Sequence, residues 1–64
     1  MKISTVKIEW QDSMGSWQTD MTNVQSNSQV IQQKFKSIKN RGPSWSNKRV
    51  RAIDEDTGML VDLG

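Results

Sequence analysis

An acidic cluster near the carboxyl end of the chain is the most obvious candidate for chemistry. Asp56-Thr57-Gly58 spells the active-site triplet of aspartic proteases and directly follows Asp54 and Glu55. Those enzymes need two such carboxylates in one cleft, supplied by a much longer chain or by a dimer. Asp, Thr and Gly are also the residues that a tight turn favours. The cluster has no Gly at the position that a calcium-binding loop requires, and no distal Glu follows it. We therefore interpret it as a turn.

Nucleophilic catalysis has few candidates. The sequence contains no His and no Cys, so no imidazole can activate a hydroxyl and the commonest metal ligand is missing. Ser44, Ser46 and Lys48 are close enough in sequence for a Ser–Lys arrangement, but a chain of 64 residues scarcely encloses a substrate pocket. We therefore predict a protein that is not an enzyme, with no catalytic residue, no metal and no cofactor.

The distribution of charge indicates a different kind of site. Residues 34–51 carry seven of the nine basic residues and no acid, whereas residues 52–64 carry four acids and no base. Basic side chains neutralise phosphates and release counterions, and an exposed Trp among them can stack on a base. The sequence predicts a nucleic-acid-binding surface formed by Lys36, Lys39, Arg41, Trp45, Lys48 and Arg49.

A solvated helix face followed by an ordinary loop explains the same basic residues without a ligand. Lys34 and Lys36 point in different directions on a helix. Lys39 and Arg41 fall near a predicted helix C-terminus, where cations are favoured by the helix dipole. This interpretation and the nucleic-acid surface both stay open at the level of the sequence.

The elements that must position these residues begin with a hairpin over residues 5–22. Polar and apolar residues alternate on both sides of a turn at residues 12–15, in which Gly15 can adopt a positive φ. The register that opposes apolar to apolar residues pairs Trp10 with Trp17, Ile8 with Thr19, Val6 with Met21 and Lys7 with Asp20. A slip of one residue would move every side chain to the other face.

A second hairpin is predicted over residues 48–63. Its turn occupies residues 55–58, and Gly58 has the same place in this turn as Gly15 in the first. The predicted cross-strand pairs are Val50 with Leu63, Arg51 with Asp62, Ala52 with Val61 and Ile53 with Leu60. The pair of opposite charges supports this register.

A helix over about residues 26–41 is predicted between the hairpins. Ile31, Phe35 and Ile38 recur at the spacing of one helix face. Ser26 and Thr22 each begin a capping box, so two starting points are open. Gly42-Pro43 ends the helix, because Gly favours the left-handed cap and Pro cannot continue.

These elements predict an α+β protein with ββαββ order: one domain over residues 1–64, an antiparallel sheet of two hairpins and one helix packed on one face. We expect Trp10 and Trp17 to form core beneath the helix. Ile53 and Leu60 then point to the opposite face as an exposed apolar pair. Because the core is small and has no disulfide, we predict self-association through Ile53 and Leu60, as a homodimer.

Three stretches of the sequence carry a resemblance to known proteins. They are Trp10-x-Asp12-x-x-Gly15-x-Trp17, Arg49-Val-Arg-Ala-Ile-Asp54 and Thr57-Gly58-x-Leu60-Val61-Asp62. With the central helix, this combination resembles short uncharacterised proteins of bacteriophages and bacteria with the ββαββ arrangement. The resemblance implies a phage or bacterial origin and a cytoplasmic protein that acts by binding. It implies no activity and assigns no functional residue.

The functional expectation is a small non-enzymatic binding protein. Nucleic acid, contacted through residues 34–51, is the first candidate partner. The alternative is a protein-interaction or homo-oligomeric module, such as a phage-encoded modulator of a host protein. No apolar run approaches the roughly 20 residues that span a bilayer, and residues 1–10 lack the apolar core of a signal peptide. With Met1 as initiator, these features predict a complete cytoplasmic gene product without a membrane partner.

Overall fold

The computed structural model describes residues 4–64 and confirms the ββαββ arrangement. Its four strands form one antiparallel sheet, and its helix packs on one face of that sheet. The elements are β1 (Thr5–Gln11), β2 (Trp17–Gln25), α1 (Ser28–Lys39), β3 (Val50–Asp54) and β4 (Leu60–Leu63). β2 therefore runs past the predicted end of the first hairpin, and α1 is shorter at both ends than predicted.

The strand order is β2-β1-β3-β4, so the two hairpins join through β1 and β3. In this central pair Val6 lies opposite Asp54 and Trp10 lies opposite Val50. β2 and β4 form the two edges of the sheet. In the described residues no helix is long and apolar enough to cross a membrane.

The pairing of β1 with β3 creates two ends of opposite charge. At one end the N–H of Gln11 donates to the carbonyl of Arg49 at 2.9 Å, and at the other the N–H of Glu55 donates to the carbonyl of Thr5 at 3.1 Å. We call them the basic end (residues 10–16 and 40–50, with the last turn of α1) and the acidic end (residues 23–28 and 54–59). The segregation of charge along the sequence thus becomes a segregation in space.

The hydrophobic core lies between α1 and the inner face of the sheet. Its buried members are Val6, Ile8, Val24, Ile31, Phe35, Ile38, Val50 and Ala52. The apolar helix face predicted from residues 31, 35 and 38 is confirmed, since all three are buried. Trp10 and Trp45 pack against this core while keeping part of their surface exposed.

α1 begins one residue after Asn27, which is its N-cap. Asn27 has an extended backbone, and its side-chain oxygen accepts hydrogen bonds from the N–H groups of Gln29 and Val30 at 2.9 and 3.4 Å. Such a cap satisfies N–H groups that have no partner within the helix. The capping boxes predicted at Ser26 and Thr22 are therefore wrong.

The first hairpin has a register one residue away from the predicted one. The N–H of Asp12 donates to the carbonyl of Ser16 at 2.8 Å, which leaves a three-residue loop that ends at Gly15, with φ of +85°. The predicted pair Trp10–Trp17 is wrong, because Trp17 lies opposite Gln11. The shift moves Trp17 out of the core and onto the outer face, away from α1.

The other predicted pairs of this hairpin are also wrong. Ile8 lies opposite Met21, Glu9 opposite Thr19 and Val6 opposite Val24, with irregularities between successive pairs. Each irregularity changes the register by a residue, as a bulge does. Strict alternation over residues 17–21 cannot predict such shifts.

The second hairpin is confirmed at one pair and wrong at the others. Ile53 lies opposite Leu60, as predicted, but an irregularity between Ala52 and Ile53 places Arg51 opposite Leu63. Asp62 faces Ala52 and accepts a hydrogen bond from Gln32 of α1 at 3.0 Å. The predicted pair Arg51–Asp62 therefore does not exist, and neither do Val50–Leu63 and Ala52–Val61.

Arg51 instead pairs with Glu9 on the outer face of the sheet. Its Nε lies 2.7 Å from Glu9 Oε1, and its guanidinium lies 4.0 Å from the centre of the Trp17 ring. Lys7 adds a second contact to Glu9 at 3.6 Å. Burial alone would raise the pKa of Glu9, but the hydrogen bond and charge of Arg51, with the charge of Lys7, outweigh it and lower that pKa.

Candidate nucleic-acid interface

The basic end brings the last turn of α1 together with the loop that leads to β3. Lys36 and Lys39 lie in that last turn, where their charges also complement the helix dipole. Arg41 follows the helix directly and reaches the ring of Trp45, 5.3 Å from its centre. The predicted basic segment is therefore folded back around one aromatic ring.

Two Trp rings and one amine form the centre of this end. The rings of Trp10 and Trp45 meet edge to face, with centres 4.9 Å apart and planes inclined at 68°. The amine of Lys48 lies 5.2 Å from the centre of the Trp10 ring and 5.1 Å from that of Trp45. Ring faces carry partial negative charge and attract cations at such distances, so the aromatic pair holds the Lys48 amine.

The loop reaches this arrangement through two consecutive turns. The N–H of Trp45 donates to the carbonyl of Gly42 at 3.0 Å, and the N–H of Lys48 donates to that of Trp45 at 3.2 Å. The Ser46 hydroxyl closes a further contact to the carbonyl of Pro43 at 3.0 Å. Because Lys48 lies one turn beyond Trp45, its side chain folds back over the ring.

Among the predicted phosphate ligands, only Arg41 forms an ion pair with an acid within residues 4–64. Its two terminal nitrogens each lie 2.7 Å from a carboxylate oxygen of Asp20, in a bidentate pair. The hydrogen bond that Arg41 donates to Asp20 raises the pKa of Arg41. Asp20, predicted to face Lys7 across the first hairpin, is thus the partner of Arg41.

Asp12 organises the neighbouring hairpin turn. Gln18 donates to its Oδ2 at 2.9 Å, and the N–H groups of Met14 and Ser16 each donate to Oδ1 at 2.9 Å. The hydrogen bond from Gln18, those from the backbone and the charge of Lys48 lower the pKa of Asp12. This carboxylate is therefore an element of the turn.

An open polar groove separates this turn from the loop after α1. Its volume is about 300 Å³, and it is lined by Gln11, Asp12, Ser13, Ser44, Asn47, Lys48 and Arg49. Hydroxyl, amide and cationic groups therefore share one surface with the Asp12 carboxylate, and the first three types donate hydrogen bonds to phosphate oxygens. The groove places Lys48 and Arg49 beside each other at its wall.

The structure brings together Arg41, Trp45 and Lys48 of the predicted set, and it places Arg49 beside Lys48. Sequence reasoning missed Trp10 as the second ring and Asp20 as the acid that pairs with Arg41. Both are far from their partners in the sequence, so no local pattern links them. The predicted register of the first hairpin paired Asp20 with Lys7, and that register is wrong.

Comparison of the chain with models of protein families, with curated proteins and with solved structures finds no match. The basic end is therefore described from its own geometry alone.

Proposed function

We propose that the basic end binds nucleic acid through its phosphates. The observation that carries the proposal is the fixed Lys48 amine above two Trp rings, at the wall of a polar groove that also contains Arg49. A cation that is already held in place loses little side-chain entropy when it meets a phosphate. Sequence-independent contacts of this kind supply most of the affinity of weak nucleic-acid binders.

The ligands proposed here are Lys36, Lys39, Lys48 and Arg49. No ion pair to an acid is found for these four within residues 4–64, in contrast to Arg41 and Arg51. Arg41 supports the site indirectly, because Asp20 holds it against Trp45. It is not a phosphate ligand in this proposal.

Trp45 positions the cations in this proposal. Its ring is half-buried, packs edge-on against Trp10 and lies close to both Arg41 and Lys48. Stacking on a base, the role suggested by sequence, would require a cation to move off the ring. We therefore expect phosphate contacts to dominate and base identity to matter little.

The direct test is fluorescence anisotropy with a labelled single-stranded oligonucleotide, titrated at several salt concentrations. If the four proposed ligands each neutralise one phosphate of a single strand, log Kd should rise with log salt with a slope of about 3. The double variant Lys48→Gln/Arg49→Gln should weaken binding at least tenfold at low salt and lower the slope by about 0.7 for each cation removed.

Lys7→Gln is the matched control for these substitutions. It removes one positive charge from the outer face of the sheet, where Lys7 contacts Glu9. Its binding should stay within about twofold of the unsubstituted protein, because long-range charge effects are screened. A protein that binds neither single- nor double-stranded nucleic acid at low salt would end the proposal.

A further inference from the structure

Within the described residues, most of the exposed large apolar side chains lie on β4 or directly before it. Within residues 4–64 five large apolar side chains are exposed, and four of them lie on β4 or directly before it: Met59, Leu60, Val61 and Leu63, at 68, 53, 43 and 63%. The fifth is Met14, in the first turn. Leu60 and Leu63 lie on the outer face of the sheet, opposite Ile53 and Arg51, and exposed apolar side chains grouped in this way mark an interaction site.

β4 is also an open edge of the sheet. Next to the pair Ile53–Leu60, the N–H of Asp54 donates a hydrogen bond to the carbonyl of Met59. Next to the pair Arg51–Leu63, the N–H of Gly64 donates a hydrogen bond to the carbonyl of Val50. Residues in such non-hydrogen-bonded pairs direct their own N–H and C=O groups away from the partner strand. Leu60 therefore presents its N–H and C=O at the edge and Leu63 presents its C=O, while the Leu63 N–H already donates to Asp62 Oδ1 at 2.8 Å.

The other edge strand, β2, is poorly suited to pairing with a further strand. Its register against β1 shifts twice, and Asn23 adopts a left-handed conformation with φ of +57°. Its exposed side chains are polar: Gln18, Thr19, Thr22, Asn23 and Gln25. Irregular and polar edges discourage addition of a further strand.

From these features we propose that β4 pairs antiparallel with β4 of a second copy of this chain, about a two-fold axis. Leu60 and Leu63 supply the apolar contacts. Ile53, predicted from sequence to share this role, is only 7% exposed and contributes little new burial. Of the two residues predicted to be exposed on this face, only Leu60 is exposed.

The charges of the molecule identify a second copy as the occupant. An antiparallel pairing of β4 with β4 reverses one sheet relative to the other. The acidic end of each copy then lies beside the basic end of its partner. This complementarity is present in one sequence and needs no other protein.

Analytical ultracentrifugation over a concentration series tests this inference, which does not depend on nucleic-acid binding. The protein should pass from monomer to dimer, and Leu60→Lys should be monomeric at every concentration, since an edge Lys opposes strand pairing. Met14→Lys is the matched control, because it places the same charge on an exposed apolar residue away from β4. It should dimerise as the unsubstituted protein does.

Circular dichroism of Leu60→Lys should match that of the unsubstituted protein, since Leu60 is half exposed and outside the core cluster. The dimer should weaken as salt is added, because the antiparallel charges are partly screened. A protein that is monomeric at high micromolar concentration, a dimer that survives Leu60→Lys, or a dimer that strengthens with salt would overturn the proposal.

Discussion

The cations of the basic end and the acids of the acidic end have different roles in the fold. At the acidic end, Asp54 Oδ1 accepts from the N–H groups of Asp56 and Thr57 at 2.8 and 3.0 Å, and Glu55 accepts from the N–H of Asn23 at 2.8 Å. These acids build the turn and tie it to β2. At the basic end the charges of Lys48 and Arg49 close no turn.

This difference shows which charges the fold requires. Carboxylates suit tight turns because they accept several N–H bonds at once. A Lys amine has no such role in a turn, and the aromatic pair that holds Lys48 leaves its charge available to a ligand. We therefore expect substitution of the acids at the acidic end to affect stability, and substitution of Lys48 and Arg49 at the basic end to affect binding.

Trp45→Ala should have the largest effect on stability and tests whether the basic end has a structural centre of its own. The substitution removes a ring packed on Trp10 and the core, and we expect a loss of about 2–4 kcal/mol in unfolding free energy. Urea denaturation measures it. Trp17→Ala, on the outer face, is the comparison and should cost less, because Trp17 is not packed against the core.

Asp54→Ala should cause the next largest loss of stability and tests the contrast between the two ends. Loss of an acceptor for two N–H groups should cost about 1–2 kcal/mol. Arg49→Ala, the matching change at the basic end, should cost less than about 0.5 kcal/mol, as surface substitutions usually do. Asp54→Asn, which keeps one acceptor oxygen, should recover much of the loss. Equal losses for Asp54→Ala and Arg49→Ala would break the comparison.

Acid should destabilise the protein through Glu9 and Asp12. The pKa of each is lowered in the folded state from ordinary values of 4.5 and 3.8. Their contribution is therefore complete above those values and is lost as pH falls through the lower pKa of each folded-state carboxyl. Urea midpoints measured from pH 6 downward should fall steeply below about pH 4, and less steeply in Glu9→Gln. An unchanged slope in that variant would contradict the role assigned to Arg51.

Arg41→Gln should have the smallest effect. The pair with Asp20 is bidentate, but the Arg41 side chain is 38% exposed. Exposed pairs contribute about 0.2–1 kcal/mol. If Arg41 is a positioning residue, oligonucleotide binding should weaken less in this variant than in Lys48→Gln at equal salt. The reverse order would make Arg41 a phosphate ligand.

The sequence was sufficient to predict the elements that depend on residues close to one another in the chain. The period of Ile31, Phe35 and Ile38 gave α1, and Gly15 and Gly58, both at positive φ, gave the two turns. It failed where a bulge changes register, because a single inserted residue leaves the alternation intact on either side. Trp17 was assigned to the core for a different reason: the loop has three residues where the sequence predicted a four-residue turn, so the register differs from the first pair onward.

The candidate site was predictable in composition and not in geometry. Clustering of cations around residue 45 is visible in the sequence. The contact of Trp45 with Trp10 depends on how β1 pairs with β3, a pairing that no local pattern indicates. The acid that neutralises Arg41 was hidden for the same reason.

The most direct test of the account is a two-dimensional NMR titration of the labelled protein with a single-stranded oligonucleotide at low salt. The Trp indole N–H signals report on two places, because Trp10 and Trp45 are in contact at the basic end and Trp17 lies on the outer face of the sheet. We expect the signals of Trp10 and Trp45 to shift together with the amides of residues 39–49, while those of Trp17 and of residues 54–58 stay in place. Saturable shifts at residues 54–58 or at Trp17, with none at the basic end, would contradict the assignment of function to that end.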